Sequence, residues 1–152
     1  MYSSVSVAVV THDEQRERHG KSLRFMFTKV PFTNLVGLEL IDWSVPDVSV
    51  VKLPYSDAVD NSGGTAHGGA IATLLDVTGA AAAWNGHDYA NGTRGATVSM
   101  TVNYTGAARG EAVIATGRCV RRAKELNFVD VAVVSESGRS VATGTVIYRI
   151  AP

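Results

Sequence analysis

One segment of the chain carries residue types that could catalyse reactions at a carbonyl group. A glycine-rich stretch at residues 61–69, Asn-Ser-Gly-Gly-Thr-Ala-His-Gly-Gly, leads directly into the apolar segment 70–84, whose single charged residue is Asp76. A lone carboxylate is costly to place in an apolar helix unless it has a partner or a function. The backbone N–H groups of the turn and of the helix start could hold a substrate oxygen. This combination predicts an enzyme active site.

The segments around this turn predict an α+β domain. Residues 67–84 form the one long predicted helix, which is hydrophobic on all sides and should therefore be buried all round. Residues 97–104 alternate between apolar and polar side chains, which is typical of a strand. Further strands are predicted at 38–44, 48–53, 111–120, 127–135 and 141–150. Two strands, a long helix and four consecutive strands imply an antiparallel sheet wrapped around one buried helix.

The bulk composition indicates a soluble globular protein of one domain. The chain has 152 residues, of which 45% are hydrophobic, and 14 basic residues balance 14 acidic ones. No net charge would therefore attract nucleic acid or an anionic membrane, and no apolar run reaches the roughly 18 residues needed to cross a bilayer. The single cysteine, Cys119, excludes an intrachain disulfide, and the four histidines show no metal-binding spacing. We expect a cytoplasmic protein without a metal or cofactor.

The residue order from Asn61 through His67 and the two following glycines to Asp76 resembles the hotdog-fold acyl-CoA thioesterases, in particular the PaaI-like and thioesterase-superfamily-member type. The resemblance covers residues 31–150 and leaves residues 1–30 as a partly polar N-terminal extension before a domain at 31–152. It implies a sheet wrapped around the long helix, dimers with a continuous sheet, and often dimers of dimers, hence a homodimer as the minimal unit and a homotetramer as the expected assembly.

The resemblance also implies roles for individual residues. Asp76 matches the catalytic carboxylate, acting as general base or nucleophile, and Asn61 and the Gly68 N–H match the groups that polarise the thioester carbonyl. Thr97 matches a hydroxyl residue that helps to hold the water. The active site of the family is shared, so that Asp76 would act on a carbonyl held by Asn61 and Gly68 of the other subunit.

The chemistry of these residues supports such roles but leaves alternatives open. Gly68 and Gly69 lack side chains, so a thioester could approach their backbone closely, and the helix dipole would favour an oxyanion there. Asp76 could instead bind a buried hydroxyl, Asn61 could stabilise its own loop, and Thr97 could be an ordinary strand residue. His67 fits substrate or interface positioning at a helix start better than proton transfer.

Basic and aromatic residues are candidates for binding the rest of the substrate. Arg121, Arg122 and Lys124 lie between two predicted strands, and Arg94 lies in the preceding loop. Arginine and lysine at the mouth of a site would bind the phosphates of coenzyme A, although a solvated turn explains the cluster equally well. The aromatic residues that could contribute to an acyl pocket are Phe32, Trp84, Tyr89 and Phe128.

Three functions remain open at this point, and we expect acyl-CoA as the ligand in each. The first is an acyl-CoA thioesterase that releases a carboxylic acid and free coenzyme A. The second is a 3-hydroxyacyl dehydratase or hydratase on the same fold, with His67 and Asp76 moving the protons. The third is a non-catalytic acyl-CoA-binding module. The turn at Asn61 favours the thioesterase.

Overall fold

The computed structural model describes residues 10–152, so the first nine residues of the predicted N-terminal extension lie outside the described part of the chain. The helices are α1 (His12–Thr28), α2 (Pro31–Val36) and α3 (Gly68–Trp84). The strands are β1 (Glu39–Asp42), β2 (Val48–Leu53), β3 (Arg94–Tyr104), β4 (Val113–Ala123), β5 (Leu126–Ser135) and β6 (Ser140–Ala151). They form one antiparallel sheet in the order β1-β2-β4-β5-β6-β3, and α3 contacts every strand from β2 to β6. The predicted α+β architecture is confirmed.

Helix α3 packs very closely against the sheet because small residues line the contact. A Cβ atom at Gly79 would lie 2.6 Å from the Val146 side chain, and one at Gly117 would lie 3.0 Å from the Thr78 carbonyl oxygen. The prediction that α3 is buried all round holds only for its second half. Asp76 is only half-buried, because the side of the helix that faces β3 lies near the edge of the sheet.

Within residues 10–152, strand β3 forms one edge of the sheet and pairs with β6 alone. Nearly all of its 11 residues are exposed, including Val98 and Tyr104. A register shift between Thr97 and Ser99 makes Val98 an extra residue, a β-bulge. A long exposed edge strand presents unpaired backbone groups and is a template for pairing with another chain.

Helix α1 packs against the core, although it lies in the segment that the sequence shows as a partly polar N-terminal extension. It begins with a capping box in which Thr11 and Glu14 bind each other's backbone N–H groups, and Leu23 on its inner face is fully buried. The Arg16 guanidinium donates to Asn85 Oδ1 at 2.8 Å and to the Trp43 carbonyl at 2.9 Å. The polar residues of α1 thus form tertiary hydrogen bonds, which hydrophobic periodicity does not reveal.

Two buried histidines connect α1 to the loop that follows α3. His19 Nε2 donates to the His87 carbonyl at 2.8 Å, and His87 Nε2 donates to the Gly92 carbonyl at 2.8 Å. Burial holds the pKa of both imidazoles below the usual value, and the nearby positive charge of Arg122 acts in the same direction. Both rings are therefore neutral in the folded protein near neutral pH.

Across residues 10–152, none of the helices combines the length and apolar character required to cross a bilayer.

The packing of α3 makes Gly79→Ala a destabilising change. Alanine normally favours a helix by about 1 kcal/mol over glycine, but the new Cβ would overlap Val146, and overpacking costs about 1–3 kcal/mol. We expect a lower free energy of unfolding in urea titrations. Adding Val146→Ala should recover part of the loss, so the two changes should be non-additive. A double variant as unstable as the sum of the single variants would contradict this packing.

The histidine pair predicts a stability loss at mildly acidic pH. Because the folded-state pKa of His19 and His87 lies below the ordinary histidine value of about 6.5, the unfolded chain takes up protons first as the pH falls. The thermal midpoint should be constant above about pH 7 and should fall as the pH drops through about 6.5. His19→Gln should flatten this dependence, and His12→Gln, at an exposed position on the same helix, is the control for introducing glutamine.

Candidate active site

The start of α3 leaves one backbone donor without a partner. His67 is the N-cap residue, and its Nδ1 accepts a hydrogen bond from the Gly69 N–H at 2.8 Å. The N–H groups of Ala70 and Ile71 donate to the His67 carbonyl at 2.9 and 3.1 Å. Within residues 10–152 the Gly68 N–H has no hydrogen-bond partner. It is therefore the donor of the first turn that can bind a substrate oxygen, and the positive end of the helix dipole strengthens it.

Asn61 lies in a tight loop immediately before this helix. Its Oδ1 accepts from the Gly63 N–H at 2.9 Å, and its backbone N–H donates to the Thr65 carbonyl at 2.9 Å. The side chain is exposed, and the contacts in the described part of the chain give its Nδ2 no partner. Asn61 therefore stabilises its own loop through the oxygen while the amide nitrogen stays available as a donor.

Asp76 and Thr97 form a direct hydrogen bond between helix α3 and the edge strand β3. The Thr97 hydroxyl donates to Asp76 Oδ1 at 2.7 Å, which leaves Oδ2 free to accept a proton from water. Thr97 is exposed, so the carboxylate is reached from the edge of the sheet and is not sealed in the core. The arrangement suits a carboxylate that takes a proton from a bound water molecule.

The donor and the carboxylate are far apart within one subunit. Gly68 and Asp76 are eight residues apart on α3, which corresponds to about 12 Å along the helix axis. One thioester carbonyl cannot contact both groups of the same chain at that distance. His67 lies one residue further away and is exposed, with its Nδ1 engaged by Gly69.

Tyr104 is a neighbour of the site that sequence analysis missed. Its hydroxyl donates to the Gly68 carbonyl at 2.7 Å, and a Cβ atom at Gly68 would lie 3.5 Å from its ring. The alternating pattern of β3 indicates which side of the strand Tyr104 is on. Which helix residue it touches depends on where β3 joins the sheet, and the local sequence holds no signal for that.

The predicted phosphate-binding residues lie near the other end of α3. Arg122 donates to Asp47 Oδ1 at 2.6 Å and to the Ala83 carbonyl at 2.9 Å, so its guanidinium is engaged in holding the end of the helix. Arg94 donates through Nε to the Pro152 carbonyl. Arg121 and Lys124 are exposed and have no ion-pair partner within residues 10–152. These two remain the accessible cations of the turn.

Two apolar pockets lie beside α3. The first has a volume of about 540 Å³ and lies between α1 and the β3–β6 edge, and Trp84 and Tyr89 line it as expected. The second has a volume of about 570 Å³ and lies between α2 and the start of α3, with Phe32 in its wall. Phe128 lines neither pocket. In the described part of the chain, no group of three or more His, Cys, Asp or Glu side chains could hold a metal ion.

Comparisons with known proteins identify the family of the chain. The family model described as the thioesterase superfamily matches residues 63–142, more than half of the chain, which include Asp76 and Thr97. No protein among curated sequences matches the chain.

Several solved structures share its architecture. The PaaI protein from the phenylacetic acid degradation operon of E. coli is 17% identical, with a TM-score of 0.76 over 91% of this chain and 96% of that one. A thioesterase family protein from Silicibacter pomeroyi is 22% identical, with a TM-score of 0.79 over 88% and 98%. A hypothetical thioesterase from Streptococcus pneumoniae, solved with coenzyme A, is 22% identical, with a TM-score of 0.69 over 86% and 94%. The chain therefore belongs to the thioesterase superfamily and has the hotdog fold.

Proposed function

We propose that this protein is an acyl-CoA thioesterase that hydrolyses its substrate to a carboxylic acid and free coenzyme A. The observation that carries the proposal is the pair of groups on α3: the Asp76 carboxylate bound to Thr97 at 2.7 Å, and the unpartnered Gly68 N–H at the helix start. Membership of the thioesterase superfamily and the coenzyme A in the Streptococcus pneumoniae structure support the choice of substrate.

The reaction uses these groups in a fixed order. Asp76 takes a proton from a water molecule, whose oxygen attacks the thioester carbonyl carbon. The negative charge that develops on the carbonyl oxygen is stabilised by the Gly68 N–H and by Asn61 Nδ2. The tetrahedral intermediate then expels the coenzyme A thiolate, which takes up the proton, and the carboxylic acid remains. If Asp76 attacks the carbon itself, water hydrolyses the resulting anhydride, and the same two donors are required.

The 12 Å between Gly68 and Asp76 supports a site shared between two copies of the chain. Strand β3 is the exposed edge, and it is attached to α3 near both of its ends: Thr97 binds Asp76, and Tyr104 binds the Gly68 carbonyl. If two β3 strands pair antiparallel, the Thr97 end of one copy meets the Tyr104 end of the other. Asp76 of one copy then faces the Gly68 N–H of its partner, and two equivalent sites are formed.

The bulge in β3 allows a register in which Thr97 faces Tyr104 of the second copy. Residues that face each other in antiparallel strands point to the same side of the sheet, and Thr97 and Tyr104 both point towards α3. A two-fold axis at Thr101 meets this condition. From this axis outward, residues 100 and 99 of one copy face residues 102 and 103 of the other. Because Val98 is the extra residue of the bulge, Thr97 then faces Tyr104 of the second copy. We therefore propose a homodimer with this register, while its further assembly into a homotetramer stays a prediction.

The role of Asp76 is tested by Asp76→Asn, which preserves the shape and removes the base. We expect a loss of about a hundredfold or more in the rate of thiol release from acyl-CoA, with an unchanged thermal midpoint. Asp130→Asn is the matched control, because Asp130 also accepts a hydrogen bond from a threonine, Thr145, but is exposed and lies two strands away from β3.

Full activity in Asp76→Asn would rule out the proposed role. Formation of an enoyl product from a 3-hydroxyacyl-CoA without thiol release would instead identify a dehydratase. Acyl-CoA binding without either product would identify a binding module.

The register is tested by a cysteine at the proposed two-fold axis. In a Cys119→Ser background, Thr101→Cys should form an intermolecular disulfide under mild oxidation, because directly opposite Cα atoms lie about 4.5–5.5 Å apart, within the range that a disulfide spans. Asn103→Cys should not form one, because residue 103 would face residue 99 of the second copy. Non-reducing electrophoresis measures both outcomes. A monomer in light scattering, or a crosslink only through residue 103, would exclude this dimer.

A further inference from the structure

The pocket between α1 and the β3–β6 edge is not assigned by the reaction as described so far. We propose that it binds the acyl group of the substrate, that this group is an uncharged hydrocarbon, and that α1 limits its length. The inference rests on the proposed thioesterase function and adds a substrate class and the residues that select it. The pocket is lined by Ser22, Phe25, Met26, Trp84, Gly95 and Tyr148, among others.

The pocket begins next to the Asp76–Thr97 pair. Gly95 precedes Thr97 by two residues on β3 and points to the same side of the sheet, about 7 Å along the strand. A Cβ atom at Gly95 would lie 2.9 Å from the Trp84 ring and 2.5 Å from Tyr148 Oη. Only glycine therefore fits this part of the pocket wall. Tyr148 pairs directly with Thr97 in the sheet.

The pKa of Tyr148 reflects both its burial and its proximity to Asp76. Burial raises the pKa of the Tyr148 hydroxyl, and the nearby negative charge of Asp76 acts in the same direction. Because Tyr148 lines the pocket and pairs with Thr97, which binds Asp76, a thioester with its carbonyl carbon next to Asp76 can extend its acyl group into the pocket.

The walls of the pocket suit a hydrocarbon because they are largely aromatic and aliphatic, and the polar groups of Ser22, Tyr89 and Trp84 are already paired. The Ser22 and Tyr89 hydroxyls bind each other at 2.5 Å, and Trp84 Nε1 donates to Tyr148 Oη at 3.3 Å. The Trp84 and Tyr89 rings stack at 5.7 Å. A charged or strongly polar acyl group would be desolvated there without gaining a partner. Lys21, the one charged residue of the lining, forms an ion pair with Glu17 at 2.8 Å and is exposed.

The second apolar pocket is less suited to the hydrocarbon end of the substrate. It lies beside Gly69 at the start of α3, and its wall contains the Asp60 carboxylate and the exposed His67 imidazole. A hydrocarbon placed there would cover both polar groups and remove them from water. The pocket against α1 has a single charged residue in its lining, the exposed Lys21, and its α1 wall is fixed because Leu23 is fully buried in the core.

The experiment changes the volume of the α1 wall and measures the preferred acyl length. Phe25→Ala enlarges the pocket and Ser22→Leu fills it, while Tyr89 keeps a hydrogen bond to the Arg18 carbonyl at 3.1 Å. Thiol release from straight-chain acyl-CoAs of increasing length should show a longer optimum for Phe25→Ala and a shorter one for Ser22→Leu. Each methylene that gains or loses burial should change kcat/KM by about fourfold.

Phe32→Ala is the matched control, because Phe32 is 57% exposed and Phe25 is 59% exposed, but Phe32 lines the pocket beside α2. It should leave the length profile unchanged. A profile that shifts with Phe32→Ala and not with Phe25→Ala or Ser22→Leu would overturn the inference while leaving the thioesterase function intact.

A binding measurement separates this inference from the reaction. In a Trp43→Phe background, Trp84 is the remaining tryptophan. Decanoate, the carboxylate that hydrolysis of a ten-carbon acyl-CoA would release, should change the fluorescence of Trp84. Ser22→Leu should weaken this binding at least tenfold, and Phe32→Ala should not. If the protein hydrolyses no acyl-CoA, the proposed function fails, yet this titration still decides the pocket. A fluorescence signal that does not respond to decanoate, or that Ser22→Leu leaves unchanged, would refute the assignment.

Discussion

Two side-chain hydrogen bonds attach strand β3 to helix α3, and the organisation of the site depends on them. Thr97 holds the carboxylate of Asp76 near one end of the strand, and Tyr104 holds the Gly68 peptide at the other. Since β3 is the exposed edge of the sheet, the start of the helix and the Asp76 carboxylate near its middle are both presented along this edge. The positions of Thr97 and Tyr104 along the strand therefore determine which groups would face each other if two copies paired through β3.

The bulge at Val98 determines the side of the sheet to which Thr97 points. A strand with strict alternation would place Thr97 on the outer side of the sheet whenever Tyr104 faces α3, because the two are seven residues apart. The extra residue turns Thr97 inward, so that its hydroxyl reaches Asp76. Bulges are common next to functional sites because they redirect one side chain without disturbing the rest of the strand.

The N-terminal helix changes the surroundings of the site from an open sheet edge into a pocket. Its inner face carries one fully buried leucine, Leu23, while Arg16 and His19 bind backbone carbonyls or side chains of the loops around Trp43 and His87. Neutral histidines are compatible with this burial because a carbonyl accepts the proton on each Nε2. A helix that looks polar in sequence is thus held by specific hydrogen bonds as well as by its apolar contacts.

The sequence by itself determined the architecture and the local features of the central segment. Each predicted strand begins and ends within three residues of an observed strand, and the predicted helix at 67–84 is α3, because alternation and a continuous apolar run depend only on neighbouring residues. The glycine-rich turn, His67 at the helix start and Asp76 within the helix were also evident as local features. Their proposed roles came from the family resemblance.

Only the tertiary structure decided which distant residues meet. It placed Thr97 on Asp76, Tyr104 on Gly68 and α1 on the Trp84 pocket, and it engaged Arg122 with Asp47, which the sequence left as a candidate phosphate ligand. These contacts join residues 21 to 75 positions apart, and they follow from strand order and from one bulge, neither of which any local pattern encodes. The physical reason is that side-chain periodicity fixes the face of an element, whereas its partner is chosen by the packing of the whole chain.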